Sequence, residues 1–363
     1  MDARTETAVD IDDQASFARH DPSRLHDRIA GLPDQCDQAW QEAKALELPA
    51  SYAGSRFVAI LGVGGSAIGG DILAGLISQE KTTPLSVIRD YTLPGWITED
   101  TLAIVSSYSG NTEETLSMYR LAKKAGARIV VITSGGELGR QAGKDGVPVL
   151  HVPFVGEPRA ALGYSFAAPI AILCGLGLLQ DRSTDMEEAG LVLRELHASL
   201  TSNVPTAQNP AKQLAVDLFN RLVVVYGAGL LSGVARRWKV LLNENSKAWA
   251  FAEEMPEVNH NSIESFVNTG LDPRGIAVVL LHSNLLYPRV SQRYRLTRDL
   301  LDHHSLPNYQ VEAVGKSPLA QVLSATFIGD FVSYYLAILC GIDPSVTPLL
   351  DEIKQRLDAI EGM

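Results

Sequence analysis

The chain has 363 residues, of which 46% are hydrophobic and 20% are charged, the balance of an ordinary globular protein. This composition excludes a disordered or fibrous protein, and at ~150 residues per domain the length favours two domains. There are 31 basic and 42 acidic residues, so the net charge is -11, which argues against a nucleic-acid-binding protein because such a protein needs a basic face.

Cysteine usage and apolar runs indicate the cell compartment. The three cysteines form no C-x-x-C pair, so neither a disulfide framework nor a zinc ribbon is expected. The acidic N-terminus lacks the apolar stretch of a signal peptide. The longest apolar run, from Phe166 to Leu179, is shorter than the ~20 residues of a membrane span and contains Pro169. We therefore expect a soluble cytoplasmic protein without membrane contacts.

The first fifty residues contain helical patterns. Asp21 and Pro22 predict the start of a short helix that stops at Gly31-Leu32-Pro33. Cys36, Trp40 and Ala43 lie at helical spacing and predict a second helix with one buried stripe. The acidic first twenty residues are expected to be disordered.

From Phe57 onward, short apolar strands alternate with longer helical stretches. The predicted strands are Phe57–Leu61, Leu85–Ile88, Leu102–Val105, Ile129–Ile132 and Val149–Val152. The predicted helices between them are Ala67–Ser78, Glu113–Ala125 and Glu137–Lys144. Continuously apolar strands joined by helices are typical of a parallel sheet that is covered on both faces.

The second half of the chain repeats the first. FVAILGVGGSAIGG (57–70) parallels LVVVYGAGLLSG (222–233) with an offset of 165, and AILCG occurs at 171–175 and again at 337–341 with an offset of 166. The agreement of the two offsets predicts two copies of one doubly wound α/β unit. Cys174 and Cys340 mark equivalent apolar helices, where we expect core positions.

This repeat divides the chain into five predicted segments. They are an N-terminal tail with helices (1–49), a first α/β domain (50–180), a helical linker (181–210), a second α/β domain (211–345) and a C-terminal helix (346–363).

Two loops of the first half carry groups that can bind an anion. Gly62 to Gly70 follows a strand and opens a helix, so its amides form an anion site, although the same loop is also a weak dinucleotide fingerprint or a plain tight turn. The second loop, Ser106 to Thr112, has more hydroxyls than helix capping needs, even with Asn111 and Glu114 spaced as a capping box. Together the loops predict a phosphate site at the carboxyl ends of two strands.

The pair GVGGSAIGGD and SSYSGNTEET resembles the sugar isomerase (SIS) domain, a phosphosugar-binding module of the doubly wound class. With NENSKAW (243–249), PEVNHNSIESF (256–266) and VGKSPLAQ (314–321), the chain resembles the bifunctional phosphoglucose/phosphomannose isomerases, which carry two SIS domains. This resemblance runs from about residue 50 to the C-terminus. It implies an aldose–ketose isomerase that interconverts glucose 6-phosphate, and mannose 6-phosphate, with fructose 6-phosphate.

The resemblance also implies roles for individual residues. Glu244 would be the base that moves a proton between C1 and C2, Arg159 would lie beside the developing enediolate, and Lys316 would lie near the ring oxygen. His260 would open the sugar ring from the neighbouring subunit of a homodimer. The residues that would hold the phosphate are Gly65, Ser66, Ser107, Ser109 and Thr112. No step of this chemistry needs a metal or a redox cofactor.

Simpler readings of the same residues stay open. Glu244 follows the basic stretch Arg236, Arg237 and Lys239 and could be a surface ion-pair partner. Other carboxylates, at Glu253, Glu254 and Glu257, are equally plausible from the sequence alone, and His260, Arg159 and Lys316 could be solvated. His303-His304 lacks a third metal ligand. The competing functions are a non-catalytic phosphosugar sensor and a nicotinamide-dependent dehydrogenase.

Overall fold

The computed structural model describes residues 8–267 and 272–361 and contains two parallel β-sheets surrounded by helices. Three helices precede the first sheet: α1 (Gln14–His20), α2 (Leu25–Ala30) and α3 (Leu32–Lys44). The apolar stripe of α3 is confirmed, since Cys36, Trp40 and Ala43 are all buried.

The first sheet has the strand order β2-β1-β3-β4-β5, with every neighbouring pair parallel. Its strands are β1 (Phe57–Leu61), β2 (Leu85–Ile88), β3 (Thr101–Ser106), β4 (Arg128–Thr133) and β5 (Val149–His151). The accompanying helices are α4 (Gly65–Leu76), α5 (Glu113–Lys124), α6 (Gly136–Asp145) and α7 (Ala168–Gly175). Central strand β3 is buried at all six positions, as a parallel sheet covered on both faces requires.

The second sheet has the order β7-β6-β8-β9 and is also entirely parallel. After α8 (Ser183–Leu200) and α9 (Pro210–Leu218), its elements are β6 (Leu222–Ala228), α10 (Ser232–Glu244), β7 (Ala250–Met255), β8 (Ile276–His282), α11 (Pro288–His303), β9 (Asn308–Glu312), α12 (Pro318–Leu339) and α13 (Pro348–Glu361). The order matches β2-β1-β3-β4 of the first sheet, so the predicted tandem α/β fold is confirmed. Among the described residues, the second sheet has no counterpart of β5. The exact domain boundaries stay predictions.

Helices α4 and α10 join the two units. The carboxylate of Asp71 on α4 pairs with Arg89 after β2 and with Arg236 on α10, 3.1 Å away. Close packing of the two helices depends on Gly233, because a Cβ there would lie 2.2 Å from the carbonyl oxygen of Asp71. The two sheets therefore share one packed interface.

The N-terminal segment differs from the expectation of disorder, as far as it lies within the described residues. Ile11 and Phe17 are buried, and the ring of Phe17 stacks on Tyr334 of α12 with centroids 6.1 Å apart. The acidic composition of this segment gives no indication that these two apolar side chains are buried. Residues 1–7 lie outside the described part.

The helix predicted to open at Pro22 begins at Leu25 instead. Asp21 nevertheless accepts hydrogen bonds from the Leu25 and His26 amides, 2.7 and 3.0 Å away. Its side chain therefore reaches the first turn of the helix from four residues upstream. This helix ends at Ala30 with Gly31 as its C-cap, where its stop is predicted. Leu32 and Pro33 then begin α3, where proline is tolerated because the amides of the first turn have no acceptor within the helix.

The structure also adds detail to two further predictions, the helical linker and the core position of two cysteines. Helix α8 packs along α12, and its Leu193 and Leu200 are fully buried, so one face of α8 contributes to the core. Cys174 and Cys340 are only half-buried, at the edge of the core.

Helix α12 is the central helix of the second unit. Its 22 residues are long and apolar enough to cross a membrane by length and composition, but 94% of the apolar window is buried inside the protein. The helix is therefore explained as a core helix.

Candidate active site

The glycine loop (62–70) and the hydroxyl loop (106–112), together called the anion loops, meet at the carboxyl ends of β1 and β3. Gly64 adopts a positive φ of 54°, which turns the chain sharply into α4 at Gly65. The Ser66 hydroxyl accepts a hydrogen bond from the Tyr108 amide at 3.0 Å, so the loops are tied to each other. The amino ends of α4 and α5 therefore face one place, where backbone amides attract an anion.

The conformation of the hydroxyl loop is stabilised by hydrogen bonds of its own hydroxyl groups. Ser107 Oγ donates to Thr112 Oγ1 at 3.1 Å and accepts from the Gly110 amide at 3.1 Å. Ser109 is exposed, and its hydroxyl accepts from the Asn111 amide at 3.2 Å. Within the described residues, neither Ser66 nor Ser109 donates its hydroxyl proton to a protein acceptor, so both can donate to a bound anion.

The capping box predicted for Asn111 and Glu114 is wrong. Thr112, not Asn111, is the N-cap residue of α5. Asn111 Oδ1 instead accepts from the Glu137 amide at the start of α6, 2.9 Å away. Asn111 therefore links the hydroxyl loop to the neighbouring helix of the same sheet edge.

Arg159 lies directly beside the amino end of α4. A Cβ added to Gly65 would lie 2.8 Å from the backbone nitrogen of Arg159, so only glycine permits this approach. Arg159 itself is 4% exposed and sits in a short 3-10 turn, Pro158–Ala160, that follows the first sheet.

The guanidinium of Arg159 faces the second unit, where every nitrogen has a partner. Its Nε donates to Asn245 Oδ1 at 2.7 Å, and its Nη1 lies 3.3 Å from Glu244 Oε2. Its Nη2 donates to the carbonyls of Pro344 and Ser345, at 2.6 and 2.9 Å. Burial lowers the pKa of the Arg159 guanidinium, while the negative charge of Glu244 acts in the opposite direction. The guanidinium stays cationic, because the ordinary pKa of arginine is very high. Arg159 therefore joins the anion loops to Glu244.

Glu244 is the last residue of α10, and its side chain is 23% exposed. It is thus accessible to a small ligand while it contacts a buried cation. Lys247 donates to the backbone carbonyls of Glu244, Asn245 and Asp343, which closes the end of α10 against the chain that leads to α13. Burial lowers the pKa of Lys247 to about 8.

The topology separates His260 from Glu244 within one chain. Helix α10 returns toward the amino end of β7, so Glu244 lies at the amino edge of the second sheet. His260 follows the carboxyl end of β7, six residues or about 20 Å farther along at ~3.3 Å per residue. The imidazole is exposed, and within the described part of the chain it makes no side-chain hydrogen bond.

Lys316 is likewise not brought to Glu244. It precedes the first turn of α12, whereas Asn245 contacts Ser333, about 22 Å farther along that helix at 1.5 Å per residue. The Lys316 amide donates to Glu188 of α8, and its side chain is exposed. The structure therefore unites Arg159 and Glu244 beside the anion loops but leaves His260 and Lys316 at the opposite edge of the second sheet.

Sequence reasoning missed three buried polar residues behind the site. Arg237 and Asp330 form an ion pair with Nη2 and Oδ2 2.9 Å apart, both nearly inaccessible, and Asn245 is 2% exposed. The sequence pattern places Arg237 among surface-type charges. The sequence does contain one signal for this ion pair, namely Asp330 in the otherwise apolar helix α12, because a buried carboxylate needs a partner. Among the described residues, no group of three or more His, Cys, Asp or Glu side chains could hold a metal ion.

The chain is similar to known proteins along most of its length. Residues 207–357 match the family model "Bacterial phospho-glucose isomerase C-terminal SIS domain". The chain is 38% identical over 342 residues to a bifunctional phosphoglucose/phosphomannose isomerase of Caldicellulosiruptor bescii, which covers 93% of this chain and 100% of the relative. A protein of the same description from Aquifex aeolicus is 31% identical over 83% of this chain and 90% of its own length.

A solved structure supports the fold. A glucose-6-phosphate isomerase like protein from Thermus thermophilus superposes with a TM-score of 0.60 at 22% identity, over 96% of this chain and 99% of that one. Because these two relatives are 38% and 31% identical over 93% and 83% of this chain, the chain belongs to the bifunctional phosphoglucose/phosphomannose isomerase family.

Proposed function

We propose that this protein is an aldose–ketose isomerase that interconverts glucose 6-phosphate, and also mannose 6-phosphate, with fructose 6-phosphate in the cytoplasm. The observation that carries the proposal is the position of Arg159. Its backbone touches Gly65 at the amino end of α4, and its guanidinium touches Glu244. One arginine side chain thus separates an anion site from a carboxylate, a span suited to a sugar with phosphate at one end and a reacting carbon at the other.

The phosphate would be held without a metal at the meeting point of the two loops. The amides at the start of α4 and the hydroxyls of Ser66, Ser109 and Thr112 supply uncharged donors, and Ser107 donates to Thr112 Oγ1 and so directs the Thr112 hydroxyl proton toward the phosphate. Such donors matter because the protein carries a net charge of -11, so the global field opposes a dianion. The helix amino ends and local hydrogen bonds overcome this field at short range.

Proton transfer would be the task of Glu244. Its carboxylate removes a proton from C2 or C1 and returns it to the adjacent carbon, through a cis-enediol(ate). The Arg159 guanidinium, 3.3 Å from that carboxylate, stabilises the negative charge that grows on the enediolate oxygens. The phosphate anchor fixes the sugar, so that its binding energy orients C1 and C2 against Glu244.

Ring opening is assigned to His260 of a second copy of the chain. An imidazole near neutral pH suits the proton transfer between O1 and O5. His260 is exposed and lies about 20 Å along the sheet from its own Glu244, a separation that favours a homodimer with shared sites. Lys316 lies at the same edge of the second sheet as His260, so we assign its role near the ring oxygen to that same shared site.

The decisive experiment supplies fructose 6-phosphate and measures glucose 6-phosphate and mannose 6-phosphate separately with coupled enzymes, before and after dialysis against EDTA. We expect both products at rates that EDTA leaves unchanged. In heavy water, deuterium should enter C2 of the products to the extent that the protonated Glu244 carboxyl exchanges with solvent before it returns the proton. Binding of fructose 6-phosphate without turnover would favour a phosphosugar sensor instead. Loss of activity that a divalent metal restores would overturn the metal-free route.

A further inference from the structure

Arg159 belongs to a closed ring of buried polar groups that connects the turn Pro158–Ala160 with α10 and α12. Its Nε donates to Asn245 Oδ1 at 2.7 Å, and Asn245 Nδ2 donates to Ser333 Oγ at 3.0 Å. The Ser333 hydroxyl donates to the Asp330 carbonyl at 3.0 Å. We call these residues, completed by Arg237, the polar ring.

Arg237 closes the ring onto the backbone of Arg159. Its Nε and Nη2 donate to the two carboxylate oxygens of Asp330 at 3.0 and 2.9 Å. Its Nη1 and Nη2 also reach the Arg159 carbonyl oxygen, both at 3.2 Å. Arg159 is thus held from two sides, by its backbone oxygen and by its side-chain Nε.

Burial makes this arrangement rigid. All five members of the polar ring are at most 4% exposed, so no member can exchange its partner for water. An unpaired buried polar group costs about 1–3 kcal/mol, and more when it is charged, so rotation of one member leaves its neighbours unsatisfied. A ring of this kind has one favourable arrangement and fixes the direction of the Arg159 guanidinium.

We propose that Asn245 and the Arg237–Asp330 pair are positioning residues that hold the Arg159 guanidinium against Glu244 and the substrate. None of the three needs to touch the sugar. The role rests on the proposed isomerase function, in which Arg159 stabilises the enediolate. Since misplacement by about 1 Å can cost a factor of 100 in rate, loss of the ring lowers kcat more than it weakens substrate binding.

The first test replaces Asn245 with leucine, which keeps the volume but removes both hydrogen bonds. We expect Asn245→Leu to lower kcat about 10- to 100-fold with KM within about threefold of wild type. Asn245→Asp keeps the oxygen that accepts from Arg159 and should retain much more activity. The matched control is Asn209→Leu, a buried asparagine that caps α9 away from the site, which should lose stability but keep its kcat per folded molecule.

A double-mutant cycle then separates positioning from general stability. In an Arg159→Ala background, Asn245→Leu should cause no further loss of kcat, because the group that it positions is gone. A full and additive loss in both backgrounds would overturn the proposal. Arg237→Met with Asp330→Leu removes the buried pair as a unit, which often leaves stability nearly unchanged, yet kcat should fall as in Asn245→Leu.

A readout that does not use catalysis distinguishes this inference from the proposed function. The Nε–H NMR resonance of Arg159, identified by its loss in Arg159→Lys, should be protected from solvent exchange in the wild type and exchange faster in Asn245→Leu. If the wild type shows no isomerase activity, the proposed function fails while this test of the ring still stands. An unprotected Nε–H in the wild type would refute the ring whatever the activity.

Discussion

Arg159 Nη1 lies 3.3 Å from Glu244 Oε2, with the cation nearly inaccessible and the carboxylate 23% exposed. A buried cation that points at an accessible carboxylate leaves one face of that carboxylate available to a ligand. The same arginine touches the amino end of α4 through its backbone. These contacts make the distance between the anion site and the carboxylate a fixed property of the fold.

The first prediction concerns the proton shuttle. Glu244→Gln keeps the shape of the side chain and a hydrogen-bond acceptor for Arg159 but removes the carboxylate base. We expect kcat for fructose 6-phosphate to fall at least ~100-fold, because general-base catalysis contributes about that much or more. Calorimetric binding of fructose 6-phosphate should stay within about threefold of wild type. A variant with nearly normal kcat would remove Glu244 from the mechanism.

Glu254→Gln is a suitable comparison, since Glu254 is an exposed carboxylate on β7 that the sequence alone leaves as an equal candidate. This variant should keep wild-type kcat, because Glu254 lies near the carboxyl end of β7, whereas Glu244 lies at the amino edge of the same sheet. A large effect here with none at Glu244 would move the base to β7.

The second prediction tests the shared site. Glu244→Gln and His260→Ala should each be nearly inactive alone, whereas mixed and exchanged subunits should recover activity. If His260 acts in the neighbouring site, each hybrid dimer has one intact site, so an equal mixture should reach about a quarter of wild-type activity. Subunit exchange is verified independently with differently tagged chains. Complete exchange without recovery would show that each site is formed within one chain.

Most of the fold could be predicted from local pattern. Strands β1 and β2 occur at the predicted residues, and the repeat offset correctly indicated two sheets of matching strand order. A parallel strand covered on both faces leaves a strong signal, as in β1, where all five residues are apolar. Acidic composition misled the prediction for residues 8–20, since Ile11 and Phe17 are two single anchors that only the tertiary structure reveals.

The candidate site was harder to predict, because its members lie on different edges of the two sheets. The sequence located the two loops at carboxyl strand ends, where ligands commonly bind in such sheets. It could not show that Glu244 belongs to the amino edge of the second sheet and meets the first unit through Arg159. It also gave no indication that Arg237 is buried, because local composition does not reveal that its buried partner, Asp330, lies 93 residues later in the chain.

The third prediction tests the close approach between α4 and Arg159. Gly65→Ala introduces a Cβ 2.8 Å from the Arg159 nitrogen, so backbone must shift on one side. We expect kcat/KM to fall at least ~10-fold, because the anion site and Glu244 lose their spacing. Gly143→Ala is the control, since Gly143 is an exposed residue of α6 with nothing within 4 Å, and it should leave the kinetics unchanged. Normal kinetics in Gly65→Ala would show that this contact does not set the spacing.

The fourth prediction concerns His26 and the pH dependence of stability. The imidazole packs against the rings of Phe331 and Tyr334, with centroids 5.7 and 5.5 Å away. Its Nε2 accepts a hydrogen bond from the Ser202 amide at 3.3 Å, which requires that nitrogen to be unprotonated. Burial lowers the pKa of His26 below its ordinary value of 6.5, with the nearby Asp27 carboxylate acting in the opposite direction.

The sign of the effect follows from proton binding in the two states. As pH falls through 6.5, the unfolded chain takes up a proton at His26 before the folded chain does. The free energy of unfolding therefore decreases toward acid pH by the share that His26 contributes. Replacing the imidazole by a neutral amide in His26→Gln removes this share, while the other titrating groups remain the same.

Urea unfolding of both proteins at one fixed protein concentration, at about pH 7.5 and about pH 5.5, measures that share. At the higher pH the imidazole is neutral in both states, so the difference between wild type and His26→Gln there is the baseline for packing and the Ser202 hydrogen bond. At the lower pH we expect wild type to have lost stability relative to the variant, because only wild type must bury an imidazole that the unfolded state protonates. A difference that stays constant between the two pH values, or that grows in favour of wild type, would contradict a lowered pKa at His26.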